Sequence, residues 1–123
     1  MAIEQVVHYQ TLSAEYLRHA TALLAEGDLT QASEKGWGAA SVLVKAAAEA
    51  REMDHERHRH LWQTIRALVR EADDAELRSL FSHAESLHGN YYEDMLDTEE
   101  VAEFLRDMER LVEKLDDLAS VKR

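Results

Sequence analysis

The sequence has no cysteine, no proline and only four glycines, and aromatic residues make up 7% of its 123 positions. Without cysteine there is no disulfide, no thiolate metal site and no cysteine nucleophile. The missing proline and scarce glycine remove the commonest helix breakers. Ala, Leu, Glu and Arg dominate instead, which is the composition of an all-α protein. No apolar run approaches the roughly 20 residues of a membrane span, and the N-terminal stretch lacks a signal-peptide pattern. A soluble, cytoplasmic protein with no membrane partner is expected. There is no glycine-rich phosphate loop and no hydrolase nucleophile motif, so no cofactor is expected.

Positive charge is also in short supply. Lys and Arg number 14 against 25 Asp and Glu, a net charge of −11. Residues 1–60 carry 6 basic and 9 acidic side chains (−3), and residues 61–123 carry 8 and 16 (−8). This balance disfavours non-specific contact with nucleic acid without excluding a local basic patch. Its simplest reading is a solvated face. A chain of this length can form one domain around one core, and residues 1–123 are expected to do so.

Apolar spacing divides the chain into about five helices, an up-and-down bundle. Residues 3–26 carry a stripe of Val6, Tyr9, Ser13, Tyr16, Ala20 and Leu23, in which Ser13 is the one polar position. Gly27 can take the left-handed conformation that closes this helix. Asp28 can then cap the next one, with Gln31 at the reciprocal position of a capping box. The second helix runs from 28 to about 51, roughly 36 Å, and should be central. Polarity peaks around Met53 to His58, where the next connection is expected. A third helix then continues to about Glu71. Asp73 or Asp74, helped by Glu76, should cap the fourth, whose stripe is Leu77, Leu80, Phe81, Ala84 and Leu87. Gly89-Asn90 is expected to end or bend it, leaving Tyr91 to Leu96 as a linker. Asp97 with Glu100 reads as a capping box for the last helix, and Ser120 to Arg123 should fray.

The stretch from Glu26 to Ala50 organises the rest. Gly36 and Gly38 each cost roughly 1 kcal/mol relative to Ala inside a helix. With Ala32, Ala39, Ala40 and Ser41 they form a surface that another backbone could approach closely, either by tight intrachain packing or as a ligand or dimer surface; the fourth helix with the Leu87 to Tyr92 segment is the other dimer-interface candidate. Lys45 farther along could reach solvent or pair with a carboxylate. Glu26-Gly27-Asp28, Gln31 to Lys35, Trp37 to Ala40 and Lys45 together resemble the signature of the PaREP-type branch of the HEPN superfamily. Leu87 to Glu93 resembles the second block of that family. The resemblance spans most of the chain. It implies an HEPN-like homodimer among the RNA- or nucleotide-associated modules of defence and toxin–antitoxin systems, with a cognate protein partner as a further possibility. Trp37, Lys45, Tyr91 and Tyr92 in these blocks are the binding candidates.

HEPN ribonucleases pair an arginine with a histidine, with four to six residues between the two. The arginine can hold a phosphate bidentately, and the histidine can move the proton of a ribose hydroxyl. The family context His-Gly-x-aromatic-aromatic falls on His88-Gly89-Asn90-Tyr91-Tyr92. The corresponding arginine slot holds His83, Ser82 or Phe81, and Arg78 lies further upstream. His88, Arg78 and His83 are therefore the catalytic candidates of a metal-independent ribonuclease with a degraded motif, and a non-catalytic binding module is the leading reading. By spacing alone, Arg78 with His83 and Arg51 with His58 match the motif. Glu52-x-x-His55 and Glu85-x-x-His88 have the spacing of a di-iron bundle site. No well-placed Glu interrupts the other apolar stripes, so no metal is expected. His55, His58 and His60 read as a solvated polar connection, and Arg51, Arg57, Arg59, Arg66 and Arg70 as a weak basic patch offset by Glu52, Asp54 and Glu56.

Overall fold

In the computed structural model, which describes residues 2–121, five helices follow one another: α1 (Ala2–Glu26), α2 (Leu29–Ala50), α3 (His58–Ala72), α4 (Glu76–Glu93) and α5 (Thr98–Val121). There is no strand among the described residues, and no helix is long and apolar enough to cross a membrane. The expected all-α bundle is the observed one.

Helix α2 is the axle of the bundle, packing against each of the other four helices. Its interior is made of small residues: Ala32, Gly36, Ala39, Ala40, Ala46, Ala47 and Ala48 are all buried. A Cβ on Gly36 would stand 2.6 Å from Leu105 and 3.0 Å from Leu87, and one on Gly38 would stand 3.0 Å from the Tyr16 ring. The small-residue surface is thus filled from within the chain by α1, α4 and α5, which removes it as a dimer-interface candidate. Ser13, the polar position in the α1 stripe, is buried at the same seam and donates to the Ala39 carbonyl at 2.8 Å.

Both ends of the chain follow their local signals. Gly27 has φ +83° and closes α1, and the Asp28 side chain accepts from the Gln31 N–H; the Asp28 N–H goes to the Leu23 carbonyl instead of the Gln31 side chain, so only half of the expected capping box forms. The Asp97–Glu100 box closes in both directions, at 2.9 and 2.8 Å. Ser120 and Val121 still belong to α5; Lys122 and Arg123, where fraying is also expected, lie outside the described residues.

The middle differs from expectation at two points. Asp73 is the left-handed C-cap of α3, and Ala75 is the N-cap of α4. Asp74 assists by accepting from the Glu76 N–H. Helix α4 also passes through Gly89-Asn90 and ends three residues later, at a left-handed Asp94. The reason is the Asn90 side chain, which is fully buried. Its Oδ1 accepts from the N–H groups of Met95 and Leu96, both at 2.7 Å, and its Nδ2 donates to Ser33 Oγ at 2.9 Å. Asn90 is therefore a helical residue that holds the following turn, so the first half of the expected Tyr91–Leu96 linker, Tyr91 to Glu93, is helix.

The Arg51 side chain, 7% exposed, ties three helices together just past α2. Its guanidinium grips both oxygens of Glu71 on α3 and donates to the carbonyls of Ala47 on α2 and Leu118 on α5. A planar fork is needed to reach all four acceptors. Arg51→Ala should lower unfolding free energy by about 2–3 kcal/mol, and Arg51→Lys should recover only part of it. Urea denaturation followed by circular dichroism measures both.

Candidate functional site

Three helices bring rings and carboxylates to one place. On α4, Phe81, Glu85, His88 and Tyr92 follow the 4-3-4 spacing that shares one helical face. On α2, Glu34 and Trp37 are one turn apart, as are His58 and Trp62 on α3. Trp37 is nearly buried and forms the floor. The His88 ring stacks on it at 4.6 Å and the His58 ring at 5.3 Å, with interplanar angles of 23° and 13°. The two imidazoles are 6.2 Å apart and nearly parallel. Tyr92 meets His88 edge-on at 5.5 Å, and Tyr91 meets Tyr92 at 4.9 Å. Phe81 packs beneath, against both Trp37 and Trp62.

Each histidine has its own carboxylate. His88 Nδ1 is 3.0 Å from Glu34 Oε1, and His58 Nε2 contacts Glu85 Oε2. The Trp62 indole N–H also donates to Glu85 Oε2, at 2.7 Å. His88 Nε2 makes no hydrogen bond among the described residues, and its side chain is 28% exposed. An imidazole oriented by a carboxylate through one nitrogen, with the other available, can accept or donate a proton. The same site, with two carboxylates on its walls, is poorly suited to hold a phosphodiester.

The sequence-derived candidates do not all converge. His88, Trp37 and Tyr92 meet, with Tyr91 alongside. His83 points elsewhere: its Nδ1 is 2.7 Å from Asp107 Oδ2 and its ring stacks on Phe104 at 4.9 Å, joining α4 to α5. Arg78 is exposed near the start of α4. Ten residues along one helix separate it from His88 by roughly 15 Å. His83 is about 140° around the helix from both. Lys45 is half-buried two turns beyond Trp37 and makes no ion pair among the described residues. Arg51 is committed to the structural clamp described above, so the Arg51–His58 spacing match joins nothing.

His58, Glu34 and Glu85 complete the cluster without having been singled out for it. Their signal was present but dispersed: the shared face of Phe81, Glu85, His88 and Tyr92 is legible on α4, whereas its pairing with His58 depends on how α3 docks. Of the three histidines expected in a polar connection between α2 and α3, only His55 lies there; His58 and His60 belong to the first turn of α3. His55 contacts Glu49 at 3.1 Å, and His60 Nδ1 accepts from the Arg57 N–H. No group of three His, Cys, Asp or Glu side chains that could hold a metal ion occurs among the described residues.

The family model described as the archaeal PaREP1/PaREP8 family matches residues 8–112, which contain every residue of the cluster. The chain belongs to this family. A crystal structure of a Sulfolobus solfataricus protein is similar to this PaREP chain, with a TM-score of 0.78 over 87% of this chain and 95% of that one, at 23% identity. At that identity the likeness shows the shared fold. No curated protein matches.

The shifted acid–base groups of this PaREP chain lie away from the histidine cluster, where the start of α4 meets α5. Lys114, hydrogen-bonded at 2.5 Å, holds the Asp74 carboxyl below its ordinary 3.8. Arg110, and then Lys114, hold Glu76 below 4.5. In return Glu76 raises Arg110, and Asp74 raises Lys114. Depressed carboxyls stabilise the fold above their unfolded values, and that contribution is lost as pH falls through the lower folded values. The raised cations contribute fully below their ordinary values and lose their contribution only in strong alkali. Stability should therefore drop as pH falls below about 4.5, and Asp74→Asn should flatten that acid limb in thermal melts taken across pH 2–7. At the cluster, His88→Ala should uncover Trp37, moving tryptophan emission to longer wavelength and raising acrylamide quenching, with a stability loss of about 1 kcal/mol.

Proposed function

We propose that this chain is an HEPN-like helical module, acting as a cytoplasmic homodimer over the single domain 1–123, whose role in a defence or toxin–antitoxin type system is binding. The observation that carries this reading is the engagement of His88. Its ring lies flat on Trp37 and is held by Glu34, while the upstream Arg78 is roughly 15 Å away along α4. The arginine–histidine pair of a ribonuclease is thus not formed within the chain. Between the two ligand classes open to a binding module, the Glu34 and Glu85 carboxylates and the charge of −11 favour protein over RNA or nucleotide.

A second reading has its own support. His58–Glu85 and His88–Glu34 are two histidine–carboxylate pairs with rings 6.2 Å apart, so one imidazole could take a proton while the other gives one. That is the chemistry of metal-independent RNA cleavage through a 2′-hydroxyl. Incubation of RNA with micromolar protein and EDTA separates the readings. Intact RNA is the expected result. Cleavage that falls about 10²–10⁴-fold in His88→Ala and in His58→Ala would replace the binding module with a two-histidine ribonuclease.

A further inference from the structure

Beside the histidine cluster, the last turn of α4 and the turn into α5 expose three large side chains. Tyr92 is 69% exposed, Met95 64% and Tyr91 36%. This is not a loose segment. Asn90 fixes the backbone of Met95 and Leu96, and Leu96 packs onto the core. The apolar groups are thus presented in a set geometry, which lowers the ordering cost of a partner. They are ringed by one sign of charge: Glu93, Asp94, Asp97, Glu99, Glu100 and Glu103 are acidic, and no basic residue occurs between Tyr91 and Leu105. An open hollow of about 470 Å³ lies along the start of α5, lined by Asp97, Glu99, Glu100 and Glu103 together with Arg106.

We infer that this rim docks a basic, amphipathic helix or peptide segment of a partner protein, its apolar side chains on Tyr92 and Met95 and its Lys and Arg over the surrounding carboxylates. The charge selects the occupant. A second copy meeting this surface about a two-fold axis would set the acidic ring against itself. RNA and anionic lipid carry the same sign as the ring. A basic segment gains both contacts: the aromatic and methionine groups supply apolar burial, and the ring supplies attraction that salt can screen. This rests on the binding reading above and names its partner chemistry. The two fail separately, because RNA cleavage would remove the first without touching peptide binding, and an absence of peptide binding would remove the second without producing cleavage.

The probe is a fluorescein-labelled helical peptide of about 20 residues with Leu on one face and Lys and Arg on the other, read by anisotropy. Its controls are a scrambled peptide of the same composition and a Glu-for-Lys/Arg version. The amphipathic basic peptide should bind, the acidic one should not, and the scrambled one should bind at least tenfold more weakly. Raising the salt from about 0.05 to 0.5 M should weaken binding by at least tenfold. Tyr92→Ala with Met95→Ala should weaken it tenfold or more. So should Glu93→Gln with Glu99→Gln, which leaves the apolar groups in place and decides the matter if the first pair disturbs folding by circular dichroism. Glu109→Gln with Asp117→Asn, an equal charge loss elsewhere on α5, should leave binding unchanged. Three results would overturn the inference: equal weakening by the α5 control pair, equal binding of the scrambled peptide, or a shift from dimer to monomer on sedimentation of the Tyr92/Met95 variant, which would make the rim an interface between copies.

Discussion

Close approach to α2 is the constraint on which the rest of the bundle depends. Four helices can surround a fifth only if the central one is thin on several faces, because packed helix axes lie about 8–10 Å apart and bulk at the crossing pushes them wider. Gly36 admits Leu105 and Leu87, Gly38 admits Tyr16, and the alanines between them complete the surface. Two glycines inside a helix are intrinsically unfavourable by roughly 1 kcal/mol each, and packing against the neighbours offsets that loss. The histidine cluster inherits the same geometry. Trp37 is the bulky residue of this stretch, and it sits between the two glycines where α3 and α4 bring their histidines over it.

What could be read from the sequence is what short-range physics determines. Gly27 and Asp28 act within a few residues of themselves, as do Asp97 and Glu100, and each behaves as its type and spacing suggest. Asn90 defeats that logic. A Gly-Asn pair is a good helix stop when the asparagine side chain faces water, but here its amide is buried against Ser33, 57 positions earlier in the chain. The helix continues because the tertiary partner satisfies the side chain and the turn after it. The candidate site divides in the same way. His88, Trp37, Tyr91 and Tyr92 lie in the blocks that resemble the family. His58 joins them only through the docking of α3, and nothing in its immediate neighbours reports where its ring will rest. Arg78, His83 and His88 look related in one dimension and are spread around α4 in three.

The cluster also shows how so acidic a chain accommodates a group of histidines. Each ring has a carboxylate of its own and a shared aromatic floor, so orientation is set by contacts inside the protein and requires neither a metal ion nor a bound anion. The same carboxylates give the surroundings a negative cast that continues along the α4–α5 turn.

The Arg51 clamp has a consequence for how the molecule comes apart. Its bond to the Leu118 carbonyl spans 67 positions, against the four that separate it from Ala47. Contacts of such long sequence separation form late, after the loop between them has closed. The α5 end of the clamp is thus absent from an early folding nucleus and present in the native state, where it acts as a latch on the unfolding rate more than as an aid to folding. Weakening it would shorten the lifetime of the folded molecule while leaving the speed of its formation nearly untouched.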